Sequence, residues 1–187
     1  MDVTMFHANL YPRFASFLCL LLLATAPALA QRSSGYVDLK ALGQLDRYFE
    51  RDATMEVNVE GALMRMVVAA SRQEDPELAS LLSRLEGVYV VGYRLPPHDM
   101  DDFDVLSKRM GDSLRRNGWT VIVRYRDDKE STQLFAKMKD DQVQGMVVMS
   151  VEAGSDQAVF VNIVGDIDPE QIGRIGQKFQ IGGMNRM

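Results

Sequence analysis

Residues 143–165, VQGMVVMSVEAGSDQAVFVNIVG, decide the fold of this chain, because they hold two apolar strands separated by a turn. The predicted strands are Val143–Glu152 and Gln157–Gly165. Apolar side chains occupy both alternating sets of positions in each strand: Met146 and Val148 against Val147, Met149 and Val151, then Val159, Val161 and Ile163 against Ala158, Phe160 and Val164. Strands of this kind need cover on both faces of their sheet.

The cover of the two faces has two alternative explanations. Either the helices of the same domain divide between the faces, or one face is completed from outside. In the second case the cover is a second copy of the chain, an envelope protein or an apolar ligand. The interface or ligand candidates are then Val147, Met149, Val161 and Ile163.

The neighbouring sequence extends these strands to a four-strand meander. The predicted strands are Trp119–Arg126, Thr132–Lys139, Val143–Glu152 and Gln157–Gly165. Alternation in the first of them places four side chains on one face: Trp119, Val121, Val123 and Tyr125. Short turns such as Asp140-Asp141 join the strands, and consecutive strands with short turns pair antiparallel.

Helix signals account for most of the remaining chain. Asp38 and Asp75 are predicted N-caps, and Gly87 is predicted to end the helix that begins at Pro76 in a left-handed conformation. The predicted helices are 38–51, 62–73, 76–85, 99–117 and 168–179, and two further strands are predicted at 54–60 and 88–95. The fold class is therefore α+β: a single domain with a mostly antiparallel sheet, a C-terminal four-strand meander and about five helices packed on it.

The first thirty residues have the pattern of a secretory signal peptide. Arg13 precedes an apolar run, and Ala28-Leu29-Ala30 forms a cleavage site, so we predict cleavage after Ala30. The mature chain is then a domain at 31–181 with a flexible tail at 182–187, periplasmic or secreted, without a transmembrane anchor. An uncleaved anchor is the alternative, and Pro27 with the Ala-Leu-Ala triplet disfavours it. Translation can start at Met1 or at Met5.

Composition excludes several kinds of chemistry. Cys19 is the only cysteine of the chain and lies within the predicted signal peptide, so the mature domain has neither a cysteine nucleophile nor a disulfide. The formal net charge of −5 argues against nucleic-acid binding. No phosphate-binding glycine loop, no dinucleotide fingerprint and no Gly-x-Ser-x-Gly elbow occurs. No cofactor is predicted.

An acidic segment near residue 100 is the strongest metal candidate. His98, Asp99, Asp101 and Asp102 could offer ligands to a hard cation, but the spacing does not fit a calcium loop. Acidic residues in the first turn of a helix are favourable in any case, because they face the positive end of the helix dipole. The helix-start interpretation is therefore favoured over a metal site.

Asp166 is the one weak catalytic candidate. It lies in Gly165-Asp166-Ile167-Asp168-Pro169-Glu170, where Asp168 is predicted to cap a helix and Asp166 has no evident local task. The hypothesis that follows is a small hydrolase-like enzyme using acidic residues at the last strand-to-helix turn. The favoured hypothesis is a non-enzymatic binding or accessory domain that contacts a partner protein or an apolar ligand through its sheet.

Four stretches resemble one family of exported bacterial proteins, the domain of unknown function 4252. They are Tyr36–Leu39, Leu85–Tyr93, Gly118–Arg124 and Val161–Glu170. The resemblance implies a small, signal-bearing bacterial protein with no established activity and no catalytic residues to transfer. Some family members are expected to be lipidated, whereas this chain lacks a cysteine at a lipidation site.

Overall fold

Six strands and five helices make up the part of the chain that the computed structural model describes, residues 33–95, 100–128, 130–152 and 157–168. The helices are α1 (Leu39–Gly43), α2 (Leu45–Tyr48), α3 (Gly61–Glu74), α4 (Pro76–Leu82) and α5 (Met100–Arg116). The strands are β1 (Met55–Glu60), β2 (Leu85–Arg94), β3 (Trp119–Arg126), β4 (Glu130–Lys139), β5 (Gln142–Glu152) and β6 (Gln157–Ile167). The predicted signal peptide, last helix and tail lie outside the described residues.

The strands form one antiparallel sheet in the order β1-β2-β6-β5-β4-β3. From β3 to β6 each strand pairs with the next along the chain, which confirms the predicted meander. The other side of β6 pairs with β2, and β2 pairs with β1, so β1 and β3 are the edge strands. The predicted α+β class is confirmed.

Asp140 and Asp141 form the turn between β4 and β5. Their φ angles are 50° and 63°, and Lys139 and Gln142 pair on either side of them. Two successive positive φ angles give a turn whose twist matches that of the two strands, which is why two-residue hairpins use it. The turn joins β4 directly to β5, and the pairing of these two strands shifts register between Lys137 and Met138.

The predicted caps at Asp38 and Asp75 are present, whereas the helix predicted after Asp168 lies outside the described residues. Asp38 Oδ1 accepts a hydrogen bond of 3.0 Å from the Ala41 N–H, and Asp75 Oδ1 accepts one of 3.0 Å from the Leu78 N–H. The first helix is shorter than predicted, because Gln44 adopts a left-handed conformation (φ 50°) and separates α1 from α2.

The prediction for Gly87 is wrong. Helix α4 ends at Leu82, and β2 begins at Leu85, so Gly87 lies inside a strand rather than at a helix end. The β2–β6 pairing shifts register between Leu85 and Gly87. The leucines at 78, 81, 82 and 85 have helical spacing, which predicted a longer helix. Leu85 instead pairs with Gly165 at the end of β6, so pairing in the sheet outweighs that local signal.

The main hydrophobic core lies on the face of the sheet that carries Val147, Met149 and Phe160, called here the first face. Helix α5 covers it with four completely or almost completely buried side chains: Phe103, Leu106, Met110 and Leu114. Leu39 of α1 and Leu45 of α2 join the same cluster. The four side chains of α5 recur at helical spacing, so they form one apolar side of the helix, and this side packs on the sheet.

Asn162 is a buried polar anchor within this face. Its Nδ2 donates to the carbonyl oxygens of Gly35 and Met146, both at 3.0 Å, and its Oδ1 accepts from the Val37 N–H at 2.8 Å. The segment before α1 thus docks onto β5 and β6. Gly35 and Gly145 permit the close approach, because a Cβ on Gly145 would lie 2.5 Å from the Gly35 oxygen.

The predicted single face of β3 is wrong in its second half. Trp119 and Val121 pack with the first-face core, whereas Val123 packs with the cluster on the opposite face. The reason is a β-bulge, since Val121 pairs with Phe135 and Val123 with Leu134, which leaves Ile122 as the extra residue. One extra residue reverses the facing of all that follow, including Tyr125.

Among the residues that the structure describes, no helix is both long enough and apolar enough to span a lipid bilayer.

Candidate functional site

The paired strands β5 and β6 separate the four interface candidates into two pairs. Val147 lies opposite Asn162 and Met149 opposite Phe160, on the first face, and both candidates are completely buried. Val161 lies opposite Val148 on the other side of the sheet, called here the second face, and there Ile163 lies opposite Met146. Val161 and Ile163 are half-buried. The structure therefore places one pair in the interior and the other on a separate surface.

Strand residues alone build the hydrophobic cluster of the second face. Its buried members are Leu134, Ala136, Val143, Met146, Val148 and Ile167, and Leu85, Val123, Val161 and Ile163 pack against them. Helices α1, α2 and α5 supply no side chain to it, in contrast to the first face. The two faces of the sheet thus differ in how the described residues cover them.

One apolar row crosses the whole second face. Cross-strand pairing connects Val57, Val90, Val161, Val148, Leu134 and Val123 in this order, with one residue from each of the six strands. A parallel row contains Val59, Val88, Ile163, Met146 and Ala136. Directly opposed side chains in a sheet contact one another, so each row is a continuous apolar strip.

Burial is uneven along the row. Val148 and Leu134 are buried, Val90, Val161 and Val123 are half-buried, and Val57 on the edge strand β1 is 38% exposed. The row is therefore buried at its centre and partly accessible toward both edges of the sheet, most of all at β1. The valines of β1 and β2 were not candidates in the sequence, because their alternation predicts a strand without showing which strands lie beside it.

The acidic segment at the start of α5 serves the fold. Asp101 Oδ1 lies 2.8 Å from Arg126 Nη2, and the backbone carbonyl of Asp102 accepts a 2.6 Å hydrogen bond from Tyr48 Oη. His98 and Asp99 lie outside the described residues. Among the described residues, no group of three or more histidine, cysteine or acidic side chains is arranged to hold a metal ion.

Asp166 lies within β6, one residue before its end, and not in a turn beyond the strand. Its side chain is exposed, and its N–H donates a 3.2 Å hydrogen bond to the carbonyl of Arg84. That backbone contact ties the end of β6 to the segment between α4 and β2. The described residues place no histidine, serine or lysine in a hydrogen bond with the Asp166 carboxylate.

An electrostatic network joins Asp46 of α2 and Lys40 of α1 to Tyr93 of β2. A hydrogen bond from Tyr93 Oη, at 2.6 Å, lowers the pKa of Asp46, and Lys40 lowers it further. Burial, followed by the hydrogen bond to Asp46, raises the pKa of Tyr93. The hydrogen bond to Glu56 is the main cause of the raised pKa of Lys40. Each shift favours the protonation state present at neutral pH, which is typical of a structural network.

A protein-family model described as Domain of unknown function (DUF4252) matches residues 48–175. This range contains three of the four stretches on which the resemblance rests, and Tyr36–Leu39 precedes it. No curated protein matches the chain.

Proposed function

The chain belongs to the DUF4252 family of domains of unknown function, and from this premise we propose that it is an exported, non-enzymatic accessory domain that binds through the second face of its sheet. The bound species is a partner protein or an apolar ligand. The apolar row that runs from Val57 to Val123 across all six strands carries the proposal.

The uneven burial of that row supports binding over a purely structural task. A sheet face that only forms core is expected to be buried along its whole length, as Val147 and Met149 are on the first face. Val57, Val90 and Val161 instead keep part of their surface accessible. A contiguous apolar surface of this kind is typical of interaction sites, whereas single exposed apolar residues are ordinary.

The geometry around Asp166 gives less support to the hydrolase hypothesis. General acid–base catalysis needs a proton donor or acceptor within hydrogen-bond reach of a reacting group. Asp166 is exposed on a strand, and neither a nucleophile nor a second titratable group is hydrogen-bonded to its carboxylate among the described residues. The binding hypothesis is therefore the one we carry forward.

Export is part of the proposal and rests on the sequence. Cleavage after Ala30 leaves every contact made by Gly35 and Val37 with Asn162 in the mature chain. Removal of the leader is thus compatible with the docking of the segment before α1.

Native mass spectrometry of the protein isolated from the envelope of its own producing cell tests both parts. We expect an N-terminus at Gln31 and a bound lipid, second copy or partner protein. Val161→Lys should remove the bound species, because it places a charge in the middle of the apolar row. Val105→Lys is the matched control, since Val105 is 66% exposed on α5, away from the second face.

Two outcomes contradict the proposal separately. A retained leader, with the N-terminus at Met1 or Met5, refutes cleavage after Ala30 and leaves the uncleaved anchor as the explanation. A bare monomer refutes binding through the second face. The same conclusion follows if the Val161→Lys variant is folded and still carries the bound species.

A further inference from the structure

A groove of about 610 Å³ lies between α3, the end of α4 and the start of β2. Its apolar lining comes from Met64 and Val68 of α3, Leu82 of α4 and Leu85 of β2. Met64 and Val68 are buried, and the two leucines are half-buried. The volume is within the usual range of about 300–1,000 Å³ for small-molecule sites.

Two arginines line the same groove. Arg65 and Arg72 are seven residues apart on α3, so they lie on one side of the helix, two turns from each other. Neither guanidinium has a hydrogen bond or an ion pair to any residue of the described chain. Other arginines of the same chain do form such pairs, for example Arg126 with Asp101.

Glu86 is the one acidic side chain in the lining, and it forms no ion pair with either arginine. The side chains that line the groove therefore carry a net charge of +1 beside its apolar residues. The whole chain, by contrast, has a formal net charge of −5. Unpaired guanidiniums beside apolar side chains favour a ligand with an anionic end and a hydrocarbon body.

We propose that this groove binds a single-chain anionic amphiphile, with the carboxylate or other anionic end at Arg65 and Arg72 and the alkyl chain along Met64, Val68, Leu82 and Leu85. The site goes beyond the proposed function, because it uses helix side chains that do not belong to the apolar row of the second face. Leu85 is the one residue that both the groove and the second-face cluster share.

Isothermal titration of the mature protein with laurate, below the concentration at which laurate forms micelles, tests the proposal. Dodecyltrimethylammonium has the same chain with a positive end, and acetate has the same anionic end without the chain. We expect laurate to bind one molecule per chain, dodecyltrimethylammonium to bind at least about tenfold more weakly, and acetate not to bind.

Substitution of the arginines identifies the site. Arg65→Gln and Arg72→Gln are each expected to weaken laurate about tenfold, since each removes one charge-assisted contact. Arg116→Gln is the matched control, because Arg116 is an exposed arginine on α5 that also lacks an ion pair in the described chain. Thermal unfolding of each variant verifies that it is folded.

Several results would overturn the proposal. Equal affinity for laurate and dodecyltrimethylammonium would show that charge is not recognised. Unchanged laurate affinity in the double variant Arg65→Gln/Arg72→Gln would place the ligand elsewhere. Binding to anionic phospholipid vesicles without any binding of free laurate would indicate a membrane surface as the partner. Loss of laurate binding in Val161→Lys would place the ligand on the second face and not in the groove.

Discussion

The phenol oxygen of Tyr93 donates a hydrogen bond of 2.6 Å to Oδ1 of Asp46, which joins the interior of the sheet to the surface of α2. The residue Tyr93 is fully buried in the first-face core, stacked on Phe49 with a ring separation of 4.6 Å. Lys40 of α1 bridges Asp46, at 3.3 Å, and Glu56 of β1, at 2.7 Å. This contact chain fastens the two short helices to the edge of the sheet.

Tyr93→Phe is expected to lower the free energy of unfolding by about 1–2 kcal/mol, because it removes one hydrogen bond to a charged group while the ring stays packed. Urea unfolding measures the change. Tyr125→Phe is the control, since Tyr125 donates a hydrogen bond to an exposed residue two positions away, Asp127, and its loss should cost less than about 0.5 kcal/mol. Equal losses in both variants would contradict the structural importance of the Tyr93–Asp46 contact.

The same contact predicts a pH dependence. The pKa of Asp46 is lower in the folded state than in the unfolded chain, so its contribution to stability is present above the unfolded pKa of about 3.9 and lost as the pH falls through the folded value. The stability difference between wild type and Asp46→Asn should therefore be largest near neutral pH and approach zero in acid. A difference that grows as the pH falls would have the wrong sign for this contact.

Asn162→Ala should be one of the most destabilising single changes, at about 2–4 kcal/mol. It leaves the Val37 N–H and the carbonyl oxygens of Gly35 and Met146 without their partner in a buried place. Asn58→Ala on the exposed edge strand is the matched control and is expected to change stability by less than about 0.5 kcal/mol. Chemical denaturation distinguishes the two, and a small effect at Asn162 would mean that the first segment does not dock as described.

The same substitution on opposite faces compares core with surface. Val147→Ala truncates a completely buried side chain and is expected to lower the free energy of unfolding by about 2–3 kcal/mol. Val161→Ala is expected to lower it by about 1 kcal/mol, because Val161 is half-buried. Parallel urea titrations of the isolated protein measure both. Equal costs would indicate that both faces are core, which would remove the basis for a binding surface at Val161.

The β4–β5 turn offers a stabilising change. Asp140 and Asp141 both hold positive φ angles, which Asn-Gly adopts more readily than two aspartates. Asp140→Asn with Asp141→Gly is therefore expected to raise the free energy of unfolding by about 0.5–1 kcal/mol. The thermal midpoint provides the measurement, and a lower midpoint would argue that the turn has another conformation.

Local sequence patterns predicted most elements of the meander because each signal there is short in range. The positions of β3 and the Asp140-Asp141 turn follow from alternation and turn residues within a few positions. Helix α5 ends at Arg116, one residue before its predicted end, and Gly118 follows with a φ of 77°. The failures at Gly87 and Val123 have a different origin, since both depend on which residues lie across the strand, in β6 and β4.

The candidate site was likewise predicted only in part from the sequence. Val161 and Ile163 were candidates because strands that are apolar on both sides need cover on both faces. Their separation from Val147 and Met149 required the pairing of β5 with β6, and the addition of Val57 and Val90 required the position of β2 beside β6. No local pattern contains that neighbour relation.

By itself, the sequence determined the α+β class, the antiparallel meander, the helix caps and the family resemblance, because these depend on periodicity, turn residues and motifs that neighbouring positions carry. Only the tertiary structure decided where β2 enters the sheet, how the bulge at Ile122 reverses β3, and that one apolar row crosses six strands. The physical reason is that side-chain facing in a sheet has a period of two residues, so long-range register determines which apolar groups meet.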